Sequence, residues 1–458
     1  MSICGVKFRA YPNKIQAKVL SQWIGCVRVI YNCKVEEDEE NYKRYKTSGE
    51  RCPIHQAYSH FKTEARPWLN DVPSQILRNS ASNWYQAKQR FFKKLAKNPH
   101  IKHRGQRDSV LLTQELFRFE EEIDQYGAVI KVLTIGTKKH DLGTLKVVTH
   151  RDCGTPKQIV IRKKNGCWTV SFCYETNKIL PSEEDILASY ADMTERELDK
   201  VAVGIDRGVV IPFQVSNETI FNFDDATKER LKKKTMRLKR YQKKMARQQL
   251  KSKRRKRTKH KIGKIHTKIA NIRHNFCHQT SQRIANSEAF VFAVEDLSIK
   301  NMTKAPKPKQ DQQGRYLPNK KRAKAGLNRE LLSKGLAKTI DFLAYKTRKL
   351  GKCIVFVSPL YSSQECANCG HIHPDNRKTQ AEFLCLSCGH QANADVNASL
   401  VIKKRGIKYL LSKPKVKTKT RLGISRSQAK RGTVRRGECS LTHPQVPMTL
   451  EARHFSGE

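Results

Sequence analysis

The feature that most limits what this chain can become is a doubled cysteine pair. Cys366-Ala-Asn-Cys369 is followed, after fifteen residues, by Cys385-Leu-Ser-Cys388, and glycines Gly370 and Gly389 come next after each pair. Each pair makes a tight turn that presents two thiolates, and glycine lets the backbone close around what they hold. Four thiolates fill the tetrahedron of a Zn²⁺ ion and leave no open position. The spacing therefore predicts one structural zinc in a ribbon, against the rival readings of a redox couple or a catalytic zinc. The other ten cysteines are scattered from Cys4 to Cys439. With no apolar leader in Met1–Pro12, they read as reduced thiols or small buried side chains rather than disulfides.

Charge limits the partner. The 458 residues carry 91 Lys+Arg against 42 Asp+Glu, a net +49. Such a surplus repels itself until an anion neutralises it, and nucleic acid phosphates do so with release of counterions. A membrane surface would demand a basic amphipathic helix or a lipid anchor, and no lipidation motif is present. No run approaches the roughly 18 apolar residues of a spanning helix. The expectation is a cytoplasmic protein with no membrane partner, associated with the nucleoid when bound to DNA. An apolar share of 38% permits packed cores, and the length suits about two to four domains.

Pattern then organises the chain. Residues 3–9 read as a strand, 16–32 as a helix, and 74–95 as a long helix opened by Pro73. From residue 110 to 175 short β runs follow at 129–135, 144–149, 159–162 and 168–174, with Asn165-Gly166 as a hairpin turn. These predict a small β-barrel joined by the N-terminal strand, into which the helical block 12–108 is inserted. An acidic stretch, 178–200, leads to a strand at 201–206. Residues 228–274 hold 22 Lys+Arg and one acid, Glu229. Their apolar seam, from Leu231 through Ile262, Ile265 and Ile269, predicts two helices joined near 251–260. The bland reading is a solvated hairpin; the charge density favours one that faces phosphates, with Arg254, Arg255 and Arg257 as candidate contacts. Residues 303–324 read as a mobile loop, 330–350 as a helix, 352–358 as a buried strand, and everything beyond about 412 as disordered.

Three carboxylates stand at the ends of these elements. Asp206 closes Val201-Ala-Val-Gly-Ile-Asp206, Glu295 closes Ala289-Phe-Val-Phe-Ala-Val-Glu295, and Asp395 opens a helix just after the second cysteine pair. An apolar strand that ends in an acid is costly unless a cation waits there. Converging, the three could hold two Mg²⁺ ions roughly 3.5–4 Å apart, the arrangement that hydrolyses phosphodiesters in RNase H-like sites. Each acid alone is equally compatible with a cap or a turn, Asp395 as its helix's N-cap, and Asp296 competes with Glu295.

At these residues the chain resembles the TnpB family, RNA-guided endonucleases of bacterial and archaeal insertion sequences related to type V CRISPR effectors. The resemblance spans about residues 3–405. Its motifs are Phe8-Arg-Ala-Tyr-Pro12, Gly25-Cys-Val-Arg-Val-Ile-Tyr-Asn32, Pro67-Trp-Leu-Asn-Asp-Val-Pro-Ser-Gln75, Gly204-Ile-Asp-Arg-Gly208, Val294-Glu-Asp-Leu297, Ser362-Ser-Gln-Glu-Cys-Ala-Asn-Cys-Gly370 and Ala394-Asp-Val-Asn-Ala398. The resemblance implies a multidomain α/β protein. A wedge β-barrel (1–11 and 109–178) carries an inserted helical recognition lobe (12–108). A linker (179–200) leads to a RuvC nuclease domain (201–365 and 391–411) with a zinc-ribbon insert (366–390) and a lid at 303–324. It implies Asp206, Glu295 and Asp395 as the catalytic Mg²⁺ ligands, and a monomer bound to one guide RNA that pairs with double-stranded DNA beside a short motif. Ser74, Arg78, Thr113 and Gln114 occupy the places where that motif is read. Two departures stand out: Ala394 precedes the third aspartate where many members have Arg, and Arg207 follows the first where Leu is commoner. The alternatives are an RNA-guided DNA binder without cleavage, a compact CRISPR effector, and a transposase that joins DNA ends unaided.

Overall fold

The computed structural model describes residues 2–412, apart from 124–128, 152, 178–179, 191 and 380. The expectation of disorder after residue 412 therefore concerns residues outside those described. The chain divides into two compact units at Ile179/Leu180.

In the first unit, β1 (Ser2–Ala10) is followed by helix α1 (Lys14–Ser48) and helix α2 (Ser74–Phe92). Strands β2 (Ser109–Thr113), β3 (Phe117–Ile123), β4 (Val129–Ile135), β5 (Gly143–Leu145), β6 (Val147–Val148), β7 (Gln158–Lys164) and β8 (Cys167–Thr176) follow. They form a five-stranded sheet in the order β2-β7-β8-β1-β6 and a three-stranded sheet β3-β4-β5. The first strand of the chain thus pairs with the last of the unit, Phe8 opposite Val170. Asn165 and Gly166, both at positive φ, turn the chain between β7 and β8, as a type I′ hairpin requires.

Helix α1 starts at a capping box: Asn13 Oδ1 accepts from Gln16 N–H at 2.8 Å, and Asn13 N–H donates to Gln16 Oε1 at 3.0 Å. The Gln16 amide also donates to the carbonyls of Leu142 and Thr144, so the cap fastens the helix to the strands. The helix runs sixteen residues past the expected end at Asn32. The buried apolar stripe runs only to Val35, but Glu- and Lys-rich sequence sustains a helix until Gly49.

The second unit opens with α3 (Glu183–Ala188) and α4 (Glu195–Val201), each begun by a capping box. Its sheet comprises β9 (Ala202–Asp206), β10 (Phe213–Val215), β11 (Ile220–Phe221), β12 (Val291–Glu295) and a later strand, β15 (Cys353–Val357). The order is β11-β10-β9-β12-β15, with β9, β12 and β15 mutually parallel and β10 antiparallel to β9.

Between β11 and β12 lie α5 (Asp225–Ala246) and α6 (Lys253–Ala285). Leu238, Ile262, Ile265 and Ile269 form their buried seam. The joint falls at 247–252, earlier than expected, because Ser252 Oγ accepts from Arg255 N–H at 3.1 Å and caps α6 there. The stretch after β12 is not a plain loop. It holds α7 (Ile299–Met302) and a hairpin of β13 (Lys309–Gln310) with β14 (Tyr316–Leu317). The single helix expected over 330–350 is two, α8 (Lys321–Ser333) and α9 (Leu336–Lys349). They part at Gly335, whose φ is 68° and where a Cβ would lie 2.6 Å from Cys277 Sγ. Finally β16 (Glu382–Leu384) pairs with β17 (Gln391–Asn393), and α10 (Ala394–Leu411) ends the described chain.

Candidate active site and metal centre

The central strands set two carboxylates side by side. β9 and β12 are parallel, with Ile205 opposite Val294, so Asp206 and Glu295 come next at the same, carboxyl end of the sheet. Open α/β sheets bind ligands at that end. Helix α10 brings the third acid. It lies against both strands because glycine stands at each contact, Gly204 on β9 and Gly406 on the helix itself: a Cβ on Gly204 would sit 1.9 Å from Ser399 O, and one on Gly406 would sit 2.5 Å from Ala293 Cβ. The glycine two residues before Asp206 therefore lets the helix of Asp395 approach.

The acids feel one another. Burial, then the Glu295 carboxylate, push Asp206 up to about 7; Asp395 adds to the rise, while the Arg207 N–H and the Arg377 charge oppose it. Glu295 is only 6% exposed, and Ser362 Oγ donates to its Oε1 at 2.5 Å. Asp395 is not its helix's cap. Asn393 is, its Oδ1 accepting from Asp395 N–H at 3.0 Å, which leaves the aspartate's carboxylate to the cluster. Arg377 approaches that carboxylate at 3.3 Å. Asp296 N–H donates to Val357 O, and the buried, Ser362-bound carboxylate is that of Glu295. Arg207 donates to the Glu295 carbonyl. Burial pulls Arg207 down to about 10, against the pull of Glu295, Asp206, Asp296 and Asp341, so it stays charged at neutral pH.

The four cysteines meet as the spacing predicts. Their sulfurs all lie within 4.8 Å of one another. Cys366 and Cys388 sulfurs are 3.7 Å apart, and those of Cys369 and Cys385 3.6 Å. A thiolate tetrahedron with metal–sulfur bonds of about 2.3 Å has edges of about 3.8 Å, so the group could hold a zinc ion. Among the described residues it is the only set of three or more His, Cys, Asp or Glu side chains gathered so tightly; the three carboxylates are more open. Asn397 bolts this centre to α10: its Oδ1 accepts from Ala367 N–H at 2.9 Å and its Nδ2 donates to Glu365 O at 2.8 Å. One helical turn thus serves both centres, Asp395 in the acidic cluster and Asn397 on the first cysteine knuckle.

The expected nucleic-acid contacts divide. Exposed Arg78 of α2 pairs with Glu115 at 3.6 Å, which brings the helix that begins at Ser74 beside the Thr113–Gln114 segment. Ser74 and Gln114 are exposed, while Thr113 Oγ1 is buried without a hydrogen-bond partner. On the basic hairpin Arg254 and Arg257 are exposed. Arg255 is turned inward instead, its guanidinium donating to the carbonyls of Gln248, at 3.1 Å, and Met245. A charge count cannot distinguish such a capping arginine from a surface one. Nor did pattern single out Ser362, Arg377 or Asn397 as individual residues, because their partners are distant in sequence.

Comparison with known proteins gives the family. A family model described as "Probable transposase" (OrfB_IS605) matches residues 171–305, and a Cas12f1-like TNB domain model matches 337–402. A model described as a helix-turn-helix domain matches 1–47, although here those residues form one strand and part of one unbroken helix. The chain is 30% identical over 405 residues to an Escherichia coli (strain K12) protein named "Putative RNA-guided DNA endonuclease InsQ", covering 87% of this chain and 91% of that one. It is 25% identical to a Streptomyces pristinaespiralis protein named "Putative RNA-guided DNA endonuclease", over 88% of this chain and 89% of the other. A 57-residue stretch is 44% identical to the Cas12f1 endodeoxyribonuclease of Sulfoacidibacillus thermotolerans, over 12% of this chain and 14% of that one. With the four-cysteine centre and the acid-ended strands in the same chain, these matches lead to one conclusion: the protein belongs to the TnpB (OrfB/IS605) family.

Proposed function

We propose that this protein is an RNA-guided DNA endonuclease encoded by an insertion sequence. The observation that carries the reading is the meeting of Asp206, Glu295 and Asp395 at one sheet end, where Asp206 is raised to about 7 by burial and by its neighbours' charge. Buried acids that repel one another are a ready site for divalent cations. In this reading the second unit is a RuvC nuclease domain with a zinc-ribbon insert. The first is a wedge barrel carrying a recognition lobe, and its α2 and Thr113–Gln114 surface faces the DNA motif. The sheet order, three antiparallel strands extended by two parallel ones, supports the RuvC assignment.

Asp206, Glu295 and Asp395 would hold Mg²⁺, which, when bound, activates water and stabilises the leaving oxygen. The protein's own part is to fix those carboxylates. Ser362 donates to Glu295 and locks its rotamer. Arg207 ties down the end of β12 through the Glu295 carbonyl. Arg377 brings a positive charge to the edge of the cluster, where a phosphodiester would lie. The surplus of +49 suits a monomer wrapped on one guide RNA, whose pairing reads the target while the protein reads the adjacent motif.

Sequencing the RNA that co-purifies with the protein, expressed beside its flanking DNA, should give one species with a fixed scaffold and a variable end. The ribonucleoprotein should then cleave a matching duplex. Asp206→Ala should lower that rate by about a thousandfold, the value of several kcal/mol of metal-borne stabilisation, with RNA affinity unchanged. Heterogeneous RNA that can be stripped without changing DNA binding would refute the RNA-guided reading.

A further inference from the structure

Beside the acidic cluster the backbone is strained at a residue whose side chain is largely in solvent. Tyr361 has φ 58°, a left-handed conformation that is a real outlier for a bulky side chain. Among the described residues the other non-glycine residues at positive φ are all Lys, Arg, Asn or Glu. The turn itself explains the conformation: the Tyr361 carbonyl accepts from both Gln364 and Glu365 N–H at 2.9 Å, which starts the chain into the first cysteine knuckle. Glycine would meet that need without strain. Yet burial does not favour a ring there either; Tyr361 is 60% exposed, and Leu360 before it 67%.

The next residue fixes the location. Ser362 Oγ binds Glu295 Oε1 at 2.5 Å and Pro359 O at 3.2 Å, so the Tyr361 Cα stands one peptide, about 3.8 Å, from a residue anchored on the cluster. A flat aromatic ring, open to solvent and one residue from a side chain bound to the acidic cluster, can offer its face to a nucleobase.

We propose that Tyr361 is a stacking platform for an unpaired nucleobase next to the scissile phosphate. Bases inside a duplex are stacked on one another and cannot use the ring; an unwound strand can. The inference rests on the nuclease reading of the acidic cluster.

The test uses the guide-loaded full chain with Tyr361→Gly, Tyr361→Phe and Tyr361→Trp. Tyr361→Gly relieves the backbone and removes the ring. It should melt no lower than the parent, yet cleave an unwound target on the order of 10- to 100-fold more slowly, the size of one base–aromatic stack; Tyr361→Phe should recover most of that deficit. Tyr361→Trp fluorescence should be quenched by a single-stranded deoxyoligonucleotide and not by a blunt duplex of the same sequence. A lower melting temperature for Tyr361→Gly, or parental cleavage by it, would overturn the platform and leave the nuclease reading standing. Quenching of Tyr361→Trp in a protein that cleaves nothing would uphold the platform and refute the nuclease reading.

Discussion

Asp206 carries the plainest pH signature. Its carboxyl titrates at about 7 in the folded chain against an ordinary 3.8. The folded state therefore keeps a proton that the unfolded state releases, and stability falls as pH rises between those two values. Below the lower value the penalty is absent; above about 7 it is complete. A divalent cation needs the ionised form and offsets the penalty. The rise in melting temperature on adding Mg²⁺ should accordingly grow with pH and level off above about 7. Thermal melts across pH, with and without Mg²⁺, check this, and a shift independent of pH would contradict it. At the same scale, Asp206 and Glu295 were legible as strand-ending acids, because an apolar run that stops on a carboxylate is a local pattern. Ser362 and Arg377 were not. What singles them out is contact with Glu295, 67 residues away, and with Asp395, 18 residues away.

Helix α10 shows how an element can be placed by what is missing from its neighbour. Gly204→Ala would drive a methyl into Ser399 O, 1.9 Å from the ideal Cβ position. Overpacking of that kind costs about 1–3 kcal/mol or more, and it pushes away the helix that bears Asp395. The expected result is a lower melting temperature together with abolished cleavage. The four-cysteine centre is tied to the same helix through Asn397. A strong zinc chelator should abolish cleavage while guide RNA affinity, measured by gel shift, stays within about threefold, because the basic hairpin α5–α6 and the first unit hold no part of the centre. Restoring Zn²⁺ should restore cleavage. Element boundaries were less legible than element types. The joint of α5 and α6 and the split at Gly335 depend on a cap and a close approach, and the extension of α1 on helix propensity, rather than on apolar period.

For the molecule as a whole, the net charge of +49 is the lever on the proposed guide RNA. Log affinity for guide RNA should fall linearly with log salt. Arg254→Glu with Arg257→Glu should flatten that slope by roughly one for each phosphate left without its arginine. Arg255→Ala should instead loosen the α5–α6 turn, because its guanidinium is held by Met245 and Gln248 carbonyls. Filter binding across a salt series separates the two effects; equal slopes for the double variant and the parent would take the hairpin out of the RNA interface.

Composition pointed to a nucleic-acid partner, and spacing alone determined the four-cysteine centre and the acids that end apolar strands, since each is a property of neighbouring residues or of a sum. The resemblance carried by the motifs supplied the family. Tertiary structure decided the rest: which arginine faces solvent, that Ser362 and Arg377 stand around the acids, and that Asn397 ties the cysteine centre to α10. The reason is physical. A hydrogen bond or a close approach between residues far apart in the chain leaves no periodicity behind, so only the folded coordinates can reveal it.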